Sequence, residues 1–172
     1  LVAIVGLWLG LAEADDKVCP PDSVAVGPAC IDTYEASVWE TTNAALIKKI
    51  QKGKVTMANL TAAGAIQRGV APGDLVTAGC PKTGNGCKDF YAVSIPGVTP
   101  SSFLTWFQAA AAARNSGKRL PYNQEWQAAA LGTPDTGGTD NGTTNCNTDN
   151  KAPGLTATGS RSACVSDVGA FD

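Results

Sequence analysis

Histidine is absent from the 172 residues. Without an imidazole the chain has no Ser-His-Asp triad, no Cys-His pair, no H-E-x-x-H zinc helix and no His-ligated iron or copper centre. Charge is scarce too. Only 16% of residues are charged and the formal net charge is −2, whereas an average domain is roughly one-quarter charged. With no Lys/Arg block, a nucleic-acid surface or a polybasic membrane surface is excluded as the main function. No Walker loop, dinucleotide fingerprint or C-x-x-C pair occurs, and the last absence disfavours structural zinc. The longest apolar run, residues 1–11, falls short of the about 20 residues that span a bilayer.

What is present points to an exported, turn-rich domain. The chain has 19 Gly and 10 Pro, and its length suits one domain. The apolar run 1–11 precedes Ala12-Glu13-Ala14, an A-x-A pattern that suits signal-peptide cleavage. Residues 1–14 therefore read as a signal-peptide remnant and 15–172 as the domain, secreted or periplasmic and free of membrane after cleavage. The alternative is a buried apolar terminus. Six cysteines behind an export signal favour disulfides. Sequential pairing, Cys19 with Cys30, Cys80 with Cys87 and Cys146 with Cys164, is one of the connectivities the count allows.

Local signals predict several elements. Two extended runs, 23–26 and 29–33, flank Gly27-Pro28; in that hairpin Cys30 faces Ala25, so a Cys19–Cys30 bridge needs Pro20-Pro21 to fold back. Residues 43–52 read as an amphipathic helix stopped by Gly53, and 57–67 as a weaker one ended by Gly69. The turn cluster 79–86 reads as a loop clipped by Cys80 and Cys87. Thr105 and Gln108 form a capping box opening a helix that Gly117 ends, with Phe103, Phe107 and Ala110 on one face. The segment Lys118-Arg119-Leu120-Pro121 is extended, because residues before proline avoid the helical region. A helix over 122–131 closes at Gly132, and 133–162 is irregular. Trp106 and Trp126 are expected in the core. The other reading makes Trp39, Trp106 and Trp126 sugar-stacking surfaces.

Three pieces of this sequence resemble the formylglycine-generating enzyme, or sulfatase-modifying factor, family. Ile31-Asp32-Thr33-Tyr34-Glu35-Ala36-Ser37 is similar to its I-D-x-Y-E-V-T segment. Trp106-Phe107-Gln108-Ala109, Gly117-Lys118-Arg119-Leu120-Pro121 and Glu125-Trp126 are similar to its W-x-x-A … G-K-R-L-P-T-x-x-E-W run. Thr158-Gly159-Ser160 and Val168-Gly169-Ala170-Phe171-Asp172 are similar to the approach to G-N-V-W-E-W. Tyr122 departs from the pattern by standing where the family has a capping Thr, although Asn123 next to it has a capping side chain. Alanines also replace the family's Tyr-Cys.

The resemblance implies an α+β, C-type-lectin-like fold with low regular structure, two main helices and short strands, truncated at the C-terminus. It implies oxidation of a sulfatase-type protein cysteine to formylglycine, with Cu(I) held by two cysteines that would lie beyond residue 172. No catalytic residue is therefore assigned. The alternative is a non-catalytic, disulfide-stabilised extracellular domain that binds glycan or protein. Glu35, Arg119 and Glu125 are expected either to line a ligand groove or to form an Arg–carboxylate set that fixes the Pro121 corner. Asp135, Asp140, Asn141, Asn145, Asn147 and Asp149 offer the hard oxygens calcium needs, though the EF-hand register fails. The resemblance implies structural calcium, with Asn145 and the Cys146 carbonyl as the nearest matches; a solvated turn region is the other reading. Finally, the two tryptophan-bearing helices are expected to pack together as the nucleus of one lectin-shaped unit.

Overall fold

The computed structural model describes residues 18–134, 140–148 and 154–171. The segment read as a signal-peptide remnant lies outside these, as do Asp135 and Asp149. The chain opens with a hairpin of β1 (Ser23–Val26) and β2 (Ala29–Asp32), in which Ala25 stands opposite Cys30. The Ser23 N–H donates to the Pro20 carbonyl, and this turn brings Cys19 back to bridge Cys30. Cys80–Cys87 and Cys146–Cys164 complete the sequential pairing.

A second sheet, which no local signal announced, organises the core. Strands β3 (Ser37–Glu40), β4 (Ile66–Arg68) and β5 (Phe90–Val93) are antiparallel in the order β4-β3-β5. Successive side chains on a strand face opposite ways. Trp39, Tyr91 and Val93 thus meet Leu46 and Ile50 of α1 (Ala44–Ile50) and Leu60 of α2 (Met57–Ala62). On the other face Val38, Phe90 and Ala92 meet Leu75 of α3 (Asp74–Thr77), the Cys80–Cys87 bridge, and Ala111 and Ala112 of α4 (Trp106–Asn115). All four residues of β5 are buried, so it carries no polar alternation to read. Short helices with two small antiparallel sheets make the architecture α+β.

Helix starts follow their caps. The Asn43 side chain accepts from the Ala45 and Leu46 N–H groups and opens α1. The stretch expected as one helix over 57–67 divides: α2 stops at Ala62, Gly64 takes φ +65, and 66–68 becomes β4 because β3 offers an unpaired edge. The Thr105–Gln108 capping box opens α4 as expected. Gln108 also donates to the Cys80 carbonyl, and the Asn115 amide donates to the Cys87 and Phe90 carbonyls. Both ends of α4 are thereby fastened to the Cys80–Cys87 loop and β5.

Two expectations are corrected. Trp106 and Trp126 are not core residues; they are 67% and 59% exposed, and Phe103 and Phe107 are also exposed. Trp39, at 4%, is the deeply buried one of the three described tryptophans. The cause is the alanine face of α4: Ala111, Ala112 and Ala113 lie against the sheet, and a slim face lets a helix approach more closely than aromatics allow. Trp106→Ala and Trp126→Ala should each change the unfolding free energy by less than about 0.5 kcal/mol in urea titration. Nor do the two tryptophan-bearing helices form a joint nucleus. Helix α4 packs on β5, whereas α5 (Asn123–Ala130) rests on β1 and β2. Each covers a different sheet.

Candidate functional site

Between those two helices and the hairpin runs a groove of about 1180 Å³. Ala109 and Ala113 of α4 line one side, Trp126, Ala129 and Ala130 of α5 another, and β2 from Ala29 to Asp32 a third. Tyr34 and Phe171, which also line it, stack with ring centroids 5.2 Å apart. The Phe171 N–H donates to the Thr33 carbonyl, so the last described residue is stitched to the segment after β2. Asp32, Glu35, Lys118, Arg119 and Glu125 supply the charge.

The charged wall begins where α4 ends. Gly117 has φ +75 and its N–H donates to the Arg114 carbonyl, while the Lys118 N–H donates to that of Ala113. This is a Schellman ending, for which glycine is suited because it has no Cβ. It turns Lys118 toward the hairpin. There the ammonium lies 2.6 Å from both Asp22 Oδ2 and Asp32 Oδ1. Gly53, at φ +63 in the turn after α1, packs so closely on the Asp22 carboxylate that a side chain at this position would collide with it. One lysine thus ties α4, the hairpin and the α1 turn together. Burial pushes the Asp32 carboxyl up from the ordinary aspartate value; the Lys118 charge and hydrogen bond pull it down less strongly, and Asp22 adds to the rise.

Arg119 occupies the next position. Its Nη1 and Nη2 donate to Glu125 Oε2 and Oε1 at 2.7 and 2.6 Å, and its Cζ lies 4.4 Å above the Tyr122 ring. The Glu125 hydrogen bond is the main cause that holds the guanidinium pKa above its usual value. Glu125 also accepts from the Tyr122 N–H at 2.8 Å. Tyr122 stands at the cap position of α5 but gives no side-chain cap, and Asn123 is the first helical residue. Glu125 therefore has two tasks: it satisfies the helix start and holds Arg119 in a planar fork. The geometry combines the two sequence readings, since this corner-fixing pair is also a groove wall shared with Glu35.

Elsewhere, Asn145 and Cys146 sit in the loop 140–148. The Asn141 side-chain oxygen accepts from the Thr143, Thr144 and Asn145 N–H groups, and the Cys146 carbonyl from that of Thr148. Asp140 accepts from the Gly142 N–H and faces Arg161 at 4.0 Å. Among the described residues no group of three or more His, Cys, Asp or Glu side chains is placed to hold a metal ion. Copper(I) needs thiolate, and all six cysteines are closed in disulfides. These residues do not fit that ion.

Sequence reasoning singled out the Arg119 cluster but not the Lys118–Asp22–Asp32 triad. Lys118 stands 96 residues from Asp22 and 86 from Asp32, and no local signal spans such a gap. The Gly-Lys step at a helix end was the available hint.

A family model described as sulfatase-modifying factor enzyme 1-like domain matches residues 8–163. No curated protein and no solved structure matches the chain.

Proposed function

This chain belongs to the sulfatase-modifying factor enzyme 1-like family, and from that membership we propose that it serves an exported protein that oxidises a cysteine of a sulfatase-type protein substrate to formylglycine. The groove carries the reading. Its volume, its stacking faces at Tyr34, Trp126 and Phe171, and its carboxylates at Glu35 and Glu125 suit a segment of polypeptide held against one wall. The C-type-lectin-like architecture belongs to the same reading and is supported by the α+β content. Export is supported by the three disulfides, which persist in oxidising compartments. No described helix is long and apolar enough to cross a membrane.

In this reading the six disulfide-bonded cysteines described here are not copper ligands, and the residues of the groove bind and orient. Arg119 and Glu125 hold the corner from which Trp126 projects; Lys118 holds the hairpin against α4 and so sets the distance between the groove walls. The test is co-expression of the full-length protein with a sulfatase, with copper supplied, followed by peptide mass analysis. Formylglycine at the sulfatase cysteine is expected. An unmodified cysteine, with both proteins soluble, overturns the oxidase reading. The second reading is a non-catalytic glycan- or protein-binding domain. It is favoured by one observation: every cysteine present is closed while Trp126 stands exposed at the groove.

A further inference from the structure

The loop 140–148 contains one carboxylate, Asp140, and its side chain has 0% exposure. A carboxylate enclosed to that degree is strongly unfavourable unless a positive charge lies beside it. We infer that the Arg161 guanidinium, not a bound calcium ion, is the cation around which this loop folds.

Three observations carry the inference. Arg161 is itself buried, at 4% exposure, and its Nη1 stands 4.0 Å from Asp140 Oδ1. That separation is beyond hydrogen-bond reach, and Nη1 has no hydrogen-bond partner among the described residues. The attraction between the two groups at that atom is therefore Coulombic, and the guanidinium faces the carboxylate as a bound ion does. Second, the covalent frame brings the two charges together. Cys146 is bridged to Cys164, the Cys164 N–H donates to the Arg161 carbonyl, and the Ala163 N–H donates to the Thr144 carbonyl. The disulfide thus delivers the arginine segment to the loop that holds the buried acid.

Third, the Asn141 side-chain oxygen and the Cys146 carbonyl are already engaged. Asn141 receives three backbone N–H groups, its amide donates to the Thr144 hydroxyl, and the Cys146 carbonyl receives Thr148. Calcium takes six to eight oxygens, usually with several carboxylates. A dication entering beside Asp140 would also meet the guanidinium at close range, where like charges repel strongly in a low-dielectric surrounding. The arginine fills the electrostatic role and bars the ion.

The test compares thermal unfolding of the full chain in EDTA and in millimolar calcium chloride. The same Tm in both is expected. A Tm that rises with calcium, or a saturable heat on calcium titration, overturns the inference, because an ion bound only to the folded state must stabilise it. A second measurement reads the charge pair directly. Arg161→Met is expected to lower Tm, and adding Asp140→Asn is expected to recover part of that loss by removing the stranded carboxylate. An Arg161→Met variant as stable as the parent, or an Asp140→Asn change that deepens the loss, overturns it. If Arg161→Met does not fold, the calcium comparison on the parent chain decides.

Discussion

Full reduction of the three disulfides is expected to unfold the chain at room temperature. The bridged residues are 11, 7 and 18 positions apart. In the chain-entropy account such loops contribute roughly 2.5–3 kcal/mol each, and together about 8 kcal/mol. A domain's whole stability is about 5–15 kcal/mol, so the loss is of the same size as the total. The bridges also hold packing in place. Cys80 and Cys87 belong to the core cluster under α4, and the carbonyls of both residues receive hydrogen bonds from that helix. Cys146 and Cys164 are buried as well, so a reductant acts slowly on the folded protein and quickly once mild denaturant opens it. The measurement is near-ultraviolet circular dichroism alongside thiol titration. Retention of the native aromatic signal after six thiols have appeared would refute the expectation.

Lys118→Met should be the most damaging single substitution at the groove. It leaves Asp22 and Asp32 facing each other across the space the ammonium filled, and stranding a buried charge costs about 3 kcal/mol or more. The loss is expected as a lower urea midpoint with an unchanged slope. Asp32→Asn should be mild by contrast, because burial already disfavours the Asp32 carboxylate more than Lys118 favours it. The pH dependence has a definite sign. Asp32 binds its proton more tightly in the folded chain than in the unfolded one. Its contribution to stability is therefore fully present below the ordinary aspartate value of 3.8 and is lost as pH rises through the raised folded value. Subtracting the pH profile of Asp32→Asn from that of the parent isolates this one group. The difference should favour the parent on acidification; a difference that falls with acidification would show that Lys118, not burial, governs Asp32.

Much of the architecture was legible where the signal was local. The hairpin register followed from Gly27-Pro28, and α1 and α4 began at side-chain caps a few residues from the groups they satisfy. Those interactions lie within one turn, so residue type and spacing decide them. The β4-β3-β5 sheet was hidden because its strands are only three or four residues long and pair across gaps of 30 and 54 positions, as at Val38 with Arg68 and Ala92. Such pairing depends on loop closure and shared burial. The tryptophans were misplaced for a related reason. Helical periodicity tells which residues share a face but not which face meets the sheet, and on α4 the alanines do.

At the candidate site, Arg119 and Glu125 are six positions apart on either side of a proline corner, and their proximity was readable in outline. The family resemblance, likewise, rests on residues contiguous in the chain. What the sequence by itself determined was therefore the set of short-range elements, the covalent pairs it favoured and the family. Only the tertiary structure decided that α4 and α5 stand on different sheets with a groove between them, that Lys118 joins two distant aspartates, and that Arg161 meets Asp140 inside a disulfide loop. Each of these depends on burial. A charge is forced to find a partner, and a helix face is chosen, only when the rest of the chain has excluded water from the place where they meet.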